Sequence, residues 1–212
     1  MSTEAEGSRR TTRIQREKHD LILEAALNVF SVHGFRGSTI DQIAEAAGMS
    51  KPNLLYYFAS KEDIHRSLIA RLLDTWLAPL EGISATGDPL GEIRGYIRRK
   101  LEMARDYPRE SRLFANEMLQ GAPHIKDMLE GDLKSLVDRK AKIIAGWMAD
   151  GRLAKVDPYH LIFSIWATTQ HYADFDVQVR AVLGPRKGGE GRFHDAAEYL
   201  DRLFLDGLKP KR

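Results

Sequence analysis

The sequence predicts an all-α protein, with a small N-terminal three-helix unit followed by a larger helical domain. Apolar residues recur with a period of about 3.6 along nearly every segment, and no segment shows the alternation of apolar and polar residues that predicts a strand. Glycines and prolines divide these segments into pieces of helical length. No internal repeat of about 20–50 residues is visible, so a solenoid is not expected. We place the domain boundary so that residues 1–62 form the first unit and residues 63–212 form the second.

Composition narrows the class of protein. The chain has 212 residues, 43% hydrophobic and 29% charged, with a net charge of +2 and no cysteine. The lack of cysteine excludes a disulfide scaffold, cysteine-ligated zinc and thiol catalysis, and fits a reducing compartment. No apolar run approaches the roughly 18 residues that a membrane span needs, and the polar N-terminus does not resemble a signal peptide. We therefore expect a cytoplasmic protein with no membrane partner.

Helix boundaries in the N-terminal unit follow from capping residues. The first helix has one apolar face and ends at Gly34. Thr39 and Gln42 form a capping box that begins the second helix, which Gly48 ends. The third helix begins at Ser50, with Pro52 in its first turn, where a missing N–H is tolerated. The fourth begins at Ser60 and runs to about Pro79.

The remaining helices are longer and less sharply bounded. A linker at 82–89 is followed by helical segments with apolar faces, and Pro108 and Pro123 mark boundaries between these segments. One long helix is expected to include Leu129 and to end at Gly151. Another is expected to begin at Asp157 and run towards Leu183. A glycine-rich loop at 184–192 leads to a last helix at about 193–207.

The segment DQIAEAAGMSKPNLLYYF, residues 41–58, has the layout of a helix-turn-helix. Its second helix is expected to bury Leu54, Leu55 and Phe58, and to turn its long polar side chains outward. A helix that enters the major groove needs such side chains near its N-terminus. The candidate DNA-binding residues are Thr39, Ser50, Lys51, Asn53, Tyr56, Tyr57 and Lys61. On spacing alone, an ordinary αα corner explains the pattern equally well.

A basic run precedes the first helix. Residues 8–18, SRRTTRIQREK, carry five basic residues and one acidic residue. Such a run is more often a solvated tail than an arm that neutralises phosphates, and both interpretations stay open.

The stretch STIDQIAEAAGMSKPNLLYYFASKED resembles the N-terminal signature of the TetR family of transcription regulators. The resemblance implies an N-terminal helix-turn-helix and a phosphate contact from the lysine that opens the fourth helix, which is Lys61 here. Family members commonly have Leu-Tyr-Tyr-His-Phe where this chain has residues 54–58, LLYYF. The usual tyrosine is Leu55 and the usual histidine is Tyr57, so we assign no DNA contact to Leu55.

Three residues of the helix from Asp157 share one face. Trp166, Gln170 and Asp174 are spaced i, i+4, i+8. A glutamine amide can pair with the adjacent N–H and C=O of a planar lactam, a carboxylate can accept a second N–H, and an indole offers a stacking surface. The stripe therefore has the chemistry that a pyrimidine base needs. Trp76 and Phe114 are further candidate walls. A stripe of three such residues is nonetheless more often ordinary core and surface.

Stretches such as SRLFANEMLQGAP and DPYHLIFSIWATTQHYADF resemble TetR-family members that regulate pyrimidine utilisation. The resemblance extends from residue 20 to about residue 179. It implies a homodimeric repressor or dual regulator whose effector is uracil or thymine. It also implies that the helix from 157 and the last helix form the dimer interface, with Leu161, Ile165, Leu200, Leu203 and Phe204 as contributors. Leu200, Leu203 and Phe204 form, with Leu208, a helical stripe that could equally belong to the core of one subunit.

Three other functional classes are alternatives for this sequence. An enzyme is disfavoured because no phosphate loop, nucleophile elbow or His-Glu-x-x-His motif appears, although His171 and Asp174 form an i, i+3 pair that could bind a metal. We predict no catalytic residue, no cofactor and no metal site. A helical adaptor without a DNA partner is a second alternative. A TetR-type regulator of a different, lipophilic ligand is the third.

Overall fold

A computed structural model of the chain describes residues 2–189 and 191–210. Within these ranges the secondary structure is helical and no strand occurs, so the predicted all-α class is confirmed. None of the helices described is long and apolar enough to cross a bilayer. The helices are α1 (Ser2–Gly37), α2 (Ile40–Ala46), α3 (Lys51–Tyr57), α4 (Lys61–Glu81), α5 (Pro89–Asp106), α6 (Pro108–Leu119), α7 (Lys126–Met128), α8 (Lys134–Ala149), α9 (Pro158–Asp174), α10 (Asp176–Lys187) and α11 (Arg192–Leu208).

Two of the three predicted side-chain caps in the N-terminal unit are present. The Gln42 backbone N–H donates to Thr39 Oγ1 at 3.2 Å, and the Thr39 N–H donates to Gln42 Oε1 at 2.8 Å. Ser60 Oγ accepts from the Asp63 N–H at 3.0 Å. Ser50 occupies the N-cap position of α3, but its hydroxyl accepts no cap hydrogen bond. Pro52 stands at the second helical position and has no N–H, so one of the two donors that a cap normally uses is missing.

The N-terminal unit is built around one apolar cluster. Helix α1 breaks at Gly34, where φ is 67°, as the glycine predicted, and a short turn continues to Gly37. Buried residues of α1, α2, α3 and the first half of α4 meet in the cluster, among them Phe30, Ile43, Leu54 and Ile64. The expectation that Leu55 is buried was wrong, because 38% of it is exposed. The short α3 turns only Leu54 fully inward.

The larger domain has its own apolar cluster. It joins the C-terminal end of α4 to α5, α8, α9 and α11 through residues such as Leu80, Ile97, Trp147 and Ile162. Helix α4 therefore contributes to both clusters and passes through the domain boundary that we place after residue 62.

Two predicted long helices are interrupted. The helix expected through Leu129 consists of α7, a π-helical turn at Leu129–Leu133 and α8. The helix expected from Asp157 to Leu183 ends at Asp174, because Phe175 leaves the helical conformation. Asp176 then accepts from Arg192 at 2.7 Å, and this pair holds α10 against the start of α11.

The residues expected at a dimer interface divide into two groups. Leu161, Ile165 and Leu200 are 8%, 2% and 2% exposed, and they belong to the core of the single chain. Assigning them to an interface was wrong. Leu203 is 51% exposed, and Phe204 is half-buried. Leu203 and Phe204 follow Leu200 by three and four positions, so they lie beside it at the margin of the buried face of α11.

Candidate functional site

The N-terminal end of α3 presents polar side chains to solvent. Ser50, Lys51 and Asn53 are exposed, and Tyr56 is 74% exposed. Tyr57 is half-buried, because its ring packs edge-on against His19 of α1 at 5.6 Å. The structure thus brings the candidate DNA-binding residues of α3 to one surface, with Tyr57 at its rim. Side chains of this length reach base edges and phosphates when a helix lies in the major groove.

Lys51 forms an ion pair within the helix-turn-helix. Its Nζ lies 2.9 Å from Asp41 Oδ2 of α2, and both side chains are largely exposed. A pair of this kind contributes at most about 1 kcal/mol, so phosphates or base edges compete for the ammonium readily. Lys51 is therefore available to DNA at small cost.

Lys61 has a different environment from the one expected of a phosphate-binding lysine. Its Nζ donates to the carbonyl oxygens of Phe35 and Ser38, both at 2.8 Å, and lies 4.4 Å from the centre of the Phe35 ring. These carbonyls end α1 just before Thr39 begins α2. Lys61 consequently joins the first turn of α4 to the segment that carries the helix-turn-helix, whether or not it also contacts phosphate.

Replacing Asn53 with alanine is expected to weaken operator binding by about 1–3 kcal/mol, or roughly 5- to 150-fold. The reason is that an exposed amide at this position can make a bidentate base contact, which alanine cannot. The measurement is a mobility shift with an operator selected from random duplexes. Binding to unrelated DNA should stay unchanged, since that depends on phosphate contacts. Equal losses on both kinds of DNA would contradict a base-reading role.

A cavity between α6 and α9 contains three of the predicted ligand-binding residues. Phe114, Gln170 and Asp174 line it together, and its volume of about 410 Å³ is ample for a small heterocycle. Gln170 and Asp174 are one helical turn apart on α9, and Phe114 faces them from α6. The complete lining is Arg112, Phe114, Ala115, Asn116, Met118, Leu119, Gln170, Asp174 and Phe175.

Asp174 is held in place at the wall of this cavity. The hydroxyl of Ser111, a fully buried residue of α6, donates to Asp174 Oδ1 at 2.6 Å. Burial raises the pKa of Asp174 above its usual range, while the Ser111 hydrogen bond and the charges of Arg112, Lys100 and His171 oppose this rise. One carboxylate oxygen is thus fixed by Ser111, and the group has room to accept a further N–H.

Lys100 is a buried cation whose charge interacts with that of Asp174, and the sequence patterns above did not predict it. It is 3% exposed, on the face of α5 that also carries Ile97 and Ala104, and its Nζ lies 5.3 Å from the Trp76 ring centre. Burial lowers its pKa to about 7, and the charge of Asp174 partly opposes this effect. A lysine within an apolar helical face was the signal that could have revealed it.

The buried Lys100 predicts a pH dependence of stability. Its folded pKa of about 7 is below the unfolded value of about 10.4, so the unfolded chain binds more protons between these values. The penalty is complete below pH 7 and disappears above pH 10.4, so the free energy of unfolding should rise with pH by up to about 1.4 kcal/mol per unit. Urea titrations at pH 7.5 and 9 should show this rise, and Lys100→Met should reduce it. An equal rise in both proteins would contradict the assignment.

Trp76 and Trp166 do not line the cavity. Trp76 is buried on α4, with its ring 6.3 Å from that of Tyr107. Trp166 donates its indole N–H to the Tyr96 hydroxyl at 2.5 Å. The structure therefore brings Phe114, Gln170 and Asp174 together and leaves the two tryptophans out of the cavity lining. A role of Trp76 in the response to ligand could act through Lys100, which lies beside its ring and interacts electrostatically with Asp174.

Side-chain contacts connect the N-terminal unit to the larger domain beside α4. Arg109 at the start of α6 reaches α1, where it bonds to Asn28 and lies 3.1 Å from Glu24. Arg66 of α4 donates to the His124 carbonyl oxygen at 2.6 Å and pairs with Asp127. Helix α6, which carries part of the cavity lining, is thereby linked to the helices that position α3.

Two sequence families together match most of the chain. Residues 22–68 match the bacterial regulatory proteins of the tetR family, and residues 69–211 match the C-terminal region of YcdC-like proteins. The chain belongs to the TetR family. This TetR-family chain is 53% identical over 194 residues to the HTH-type transcriptional regulator RutR of Escherichia coli O157:H7, an alignment that covers 92% of each protein. It is also 30% identical over 146 residues to the regulator TcmR of Streptomyces glaucescens, covering 66% of this chain and 59% of TcmR.

Solved structures of other TetR-like proteins share the fold. The ketosteroid transcriptional regulator KstR2 of Mycobacterium tuberculosis superposes with a TM-score of 0.70 at 21% identity, covering 91% of this chain and 95% of KstR2. AibR, solved in complex with isovaleryl coenzyme A and operator DNA, gives 0.68 at 17% identity, covering 89% and 98%. Because its relatives are named regulators of transcription, this TetR-family chain is a transcriptional regulator and not an enzyme.

Proposed function

We propose that the chain binds operator DNA as a homodimer and is released from it by a pyrimidine base such as uracil. One observation supports this most directly: a glutamine amide and a held carboxylate face the same cavity, in a chain that also presents a helix-turn-helix. Similarity to regulators of pyrimidine utilisation, the Rut repressor among them, favours the same ligand. In this proposal the protein acts as a repressor.

The ligand chemistry follows from donors and acceptors. Uracil is a neutral planar ring with N–H and C=O groups in alternation along one edge. The Gln170 amide can accept one N–H and donate to the neighbouring carbonyl, and Asp174 can accept the other N–H. Phe114 offers an aromatic wall. Few polar groups are needed, because the ligand carries no charge to compensate.

Exposed apolar residues on α9 and α11 support the homodimer. Phe163 is 46% exposed, Tyr199 56% and Leu203 51%. Their helices also carry small exposed residues, such as Ser164 and Ala167, which allow close approach of a second chain. Burying these faces against the same faces of a second copy would form a two-fold interface, the commonest arrangement in soluble oligomers.

Calorimetric titration with uracil, thymine and cytosine tests the ligand. Uracil and thymine should bind, and cytosine should bind at least about tenfold more weakly, which corresponds to 1.4 kcal/mol. Cytosine has an unprotonated ring nitrogen where uracil has N3–H, so its lone pair would face the Asp174 carboxylate. Equal binding of uracil and cytosine would refute the assigned pairing. If none of the three binds while operator binding persists, a different and more lipophilic effector is indicated, as the apolar residues at the mouth of the cavity allow.

A mobility shift with increasing salt tests the DNA partner. Operator affinity should fall steeply with salt, because phosphate contacts release counterions. Uracil should dissociate the complex, and light scattering should give twice the 24.0 kDa chain mass. An adaptor without a DNA partner would show no shift at any salt concentration.

A further inference from the structure

A buried polar cluster lies outside the DNA-binding surface and the effector cavity. It consists of His65 of α4, Glu117 of α6 and His124 of the loop before α7. His65 is 1% exposed and Glu117 is 4% exposed, while the His124 side chain keeps a fifth of its surface in solvent. The cluster occupies the junction between the N-terminal unit and the larger domain.

The three side chains approach one another closely through their nitrogen and oxygen atoms. His124 Nδ1 lies 3.1 Å from Glu117 Oε2, and His65 Nε2 lies 3.9 Å from the same oxygen. One possible ligand atom from each of the three residues lies within 4.8 Å of the corresponding atoms of the other two. The ring centres of the two histidines are 4.9 Å apart. Two imidazoles and a carboxylate thus converge on one small volume.

Part of the hydrogen-bonding capacity of the cluster is unused within the described residues. Glu117 Oε1 accepts from the backbone N–H of His124 at 2.8 Å, which orients the carboxylate. His65 Nδ1 is buried and has no hydrogen-bond partner, and its Nε2 is too far from Glu117 for a hydrogen bond. A buried imidazole left in this way costs about 1–3 kcal/mol. An ion bound by Nε2 and Glu117 would give His65 a polar partner at that nitrogen, while Nδ1 would stay unpaired.

We propose that His65, Glu117 and His124 form a binding site for a divalent transition-metal ion of the zinc type. Imidazole nitrogen and carboxylate oxygen are ligands that zinc prefers, in tetrahedral sites with bonds of roughly 2.0–2.2 Å. Such bonds place neighbouring ligand atoms roughly 3.3 Å apart. The His124–Glu117 distance matches this spacing, whereas His65 Nε2 must approach Glu117 by roughly 0.6 Å and the ligand atom of His124 by up to roughly 1.5 Å. Three protein ligands leave a fourth position for water, which the partly exposed His124 side admits.

The proposed site departs from the expectation of no metal site, because its ligands are scattered along the sequence. The site would also join elements whose relative position matters for DNA binding. The Phe35 ring lies 4.8 Å from the ring of His65, 4.4 Å from that of His124 and 4.4 Å from Lys61 Nζ. An ion held by α4, α6 and the loop would therefore fix the end of α1 that precedes the helix-turn-helix. This inference does not depend on the identity of the effector.

Zinc titration of the untagged, chelator-treated full-length protein tests the proposal. Calorimetry should show one ion per chain, and cobalt should give the visible absorption of a tetrahedral site. His124→Ala and Glu117→Gln should each weaken zinc binding by at least about 100-fold, since loss of even a second-shell group costs 10- to 100-fold. Zinc should raise the melting temperature of the wild type and leave that of His124→Ala unchanged.

His194→Ala is the matched control. His194 and Glu198 form an exposed pair with 3.3 Å between Nε2 and Oε1, the kind of surface site that binds zinc weakly without any built geometry. Its removal should leave the high-affinity ion in place. The proposal is overturned if zinc binds no more tightly than about 10 μM, or if His194→Ala abolishes binding while His124→Ala does not. His124 lies in a loop, so its variant gives a result even if Glu117→Gln fails to fold.

Discussion

Gln170→Leu is expected to weaken uracil binding by about 100-fold and to leave operator binding without effector unchanged. Leucine has nearly the same volume but removes both the donor and the acceptor that face the ring. Two hydrogen bonds are lost, and the ligand groups they satisfied stay unpaired in the complex, at a combined cost of about 2–3 kcal/mol. Calorimetry measures the affinity, and a mobility shift at several uracil concentrations measures release.

Gln178 provides the control for this experiment. It lies on α10, it is exposed, and it is not part of the cavity lining. Gln178→Leu makes the same chemical change nearby and should retain wild-type affinity for uracil. The cavity between α6 and α9 is not the effector site if both variants bind uracil equally well. Weakened operator binding in Gln170→Leu would point to a folding defect instead.

Local sequence signals predicted the N-terminal unit well because short-range contacts determine it. The Thr39–Gln42 capping box, the Ser60 cap and the break at Gly34 each involve residues within four positions of one another. The pattern failed at Ser50, where the same motif contains Pro52 and the hydroxyl has fewer donors to accept from. A residue type that favours a cap does not guarantee the bond when a neighbour removes its partner.

Tertiary contacts set the features that sequence periodicity could not. The break between α9 and α10 coincides with the Asp176–Arg192 pair, whose members are sixteen positions apart. Leu161 and Leu200 satisfy a helical stripe equally well whether it faces a partner chain or the chain's own core, and only packing decides between them. The π-helical turn at Leu129–Leu133 has no distinctive sequence signal.

The same distinction applies to the candidate effector site. The i, i+4 spacing of Gln170 and Asp174 was visible in the sequence, and they do face one cavity with Phe114. The partners that shape the site come from other helices: Ser111 donates to Asp174, and Lys100 interacts with the charge of Asp174 and with the ring of Trp76. Trp166 shares the stripe but donates to Tyr96. Spacing along one helix predicts which residues share a face, and not what lies opposite.

Helix α4 offers a physical route from the cavity to the DNA-binding surface. Lys61 and Trp76 are fifteen residues apart, or about 22 Å along a helix. At one end, Lys61 is bonded to the carbonyls that precede α2, and at the other Trp76 packs near Lys100. A small rotation of α4 driven at Trp76 would therefore carry the helix-turn-helix with it. In a dimer this changes the separation of two recognition helices, which must be about 34 Å to read successive major grooves.

Trp76→Ala is expected to abolish release by uracil while operator binding persists. The Trp76 indole lies beside Lys100, whose charge interacts with that of Asp174. Removing the indole therefore removes the contact through which α4 is expected to respond to a ligand bound at Asp174. To convert a 99:1 preference for the DNA-binding state, uracil must favour the other state by about 10⁴-fold, near 5.5 kcal/mol. Losing most of that difference would keep the protein on DNA at saturating uracil. Retained operator binding also shows that the variant is folded, which matters because burial of an indole contributes about 3–5 kcal/mol.

The absence of native cysteine permits a direct measurement of the movement. Glu45 is exposed on α2, and Glu45→Cys would place one spin label on each helix-turn-helix of the proposed homodimer. In otherwise wild-type protein, uracil should shift the distance between the labels, and with Trp76→Ala the distance should stay at its effector-free value. Trp76 has no part in coupling if the labels move equally in both proteins. If they move in neither while uracil still dissociates the DNA, the effector acts by a route other than the rotation of α4.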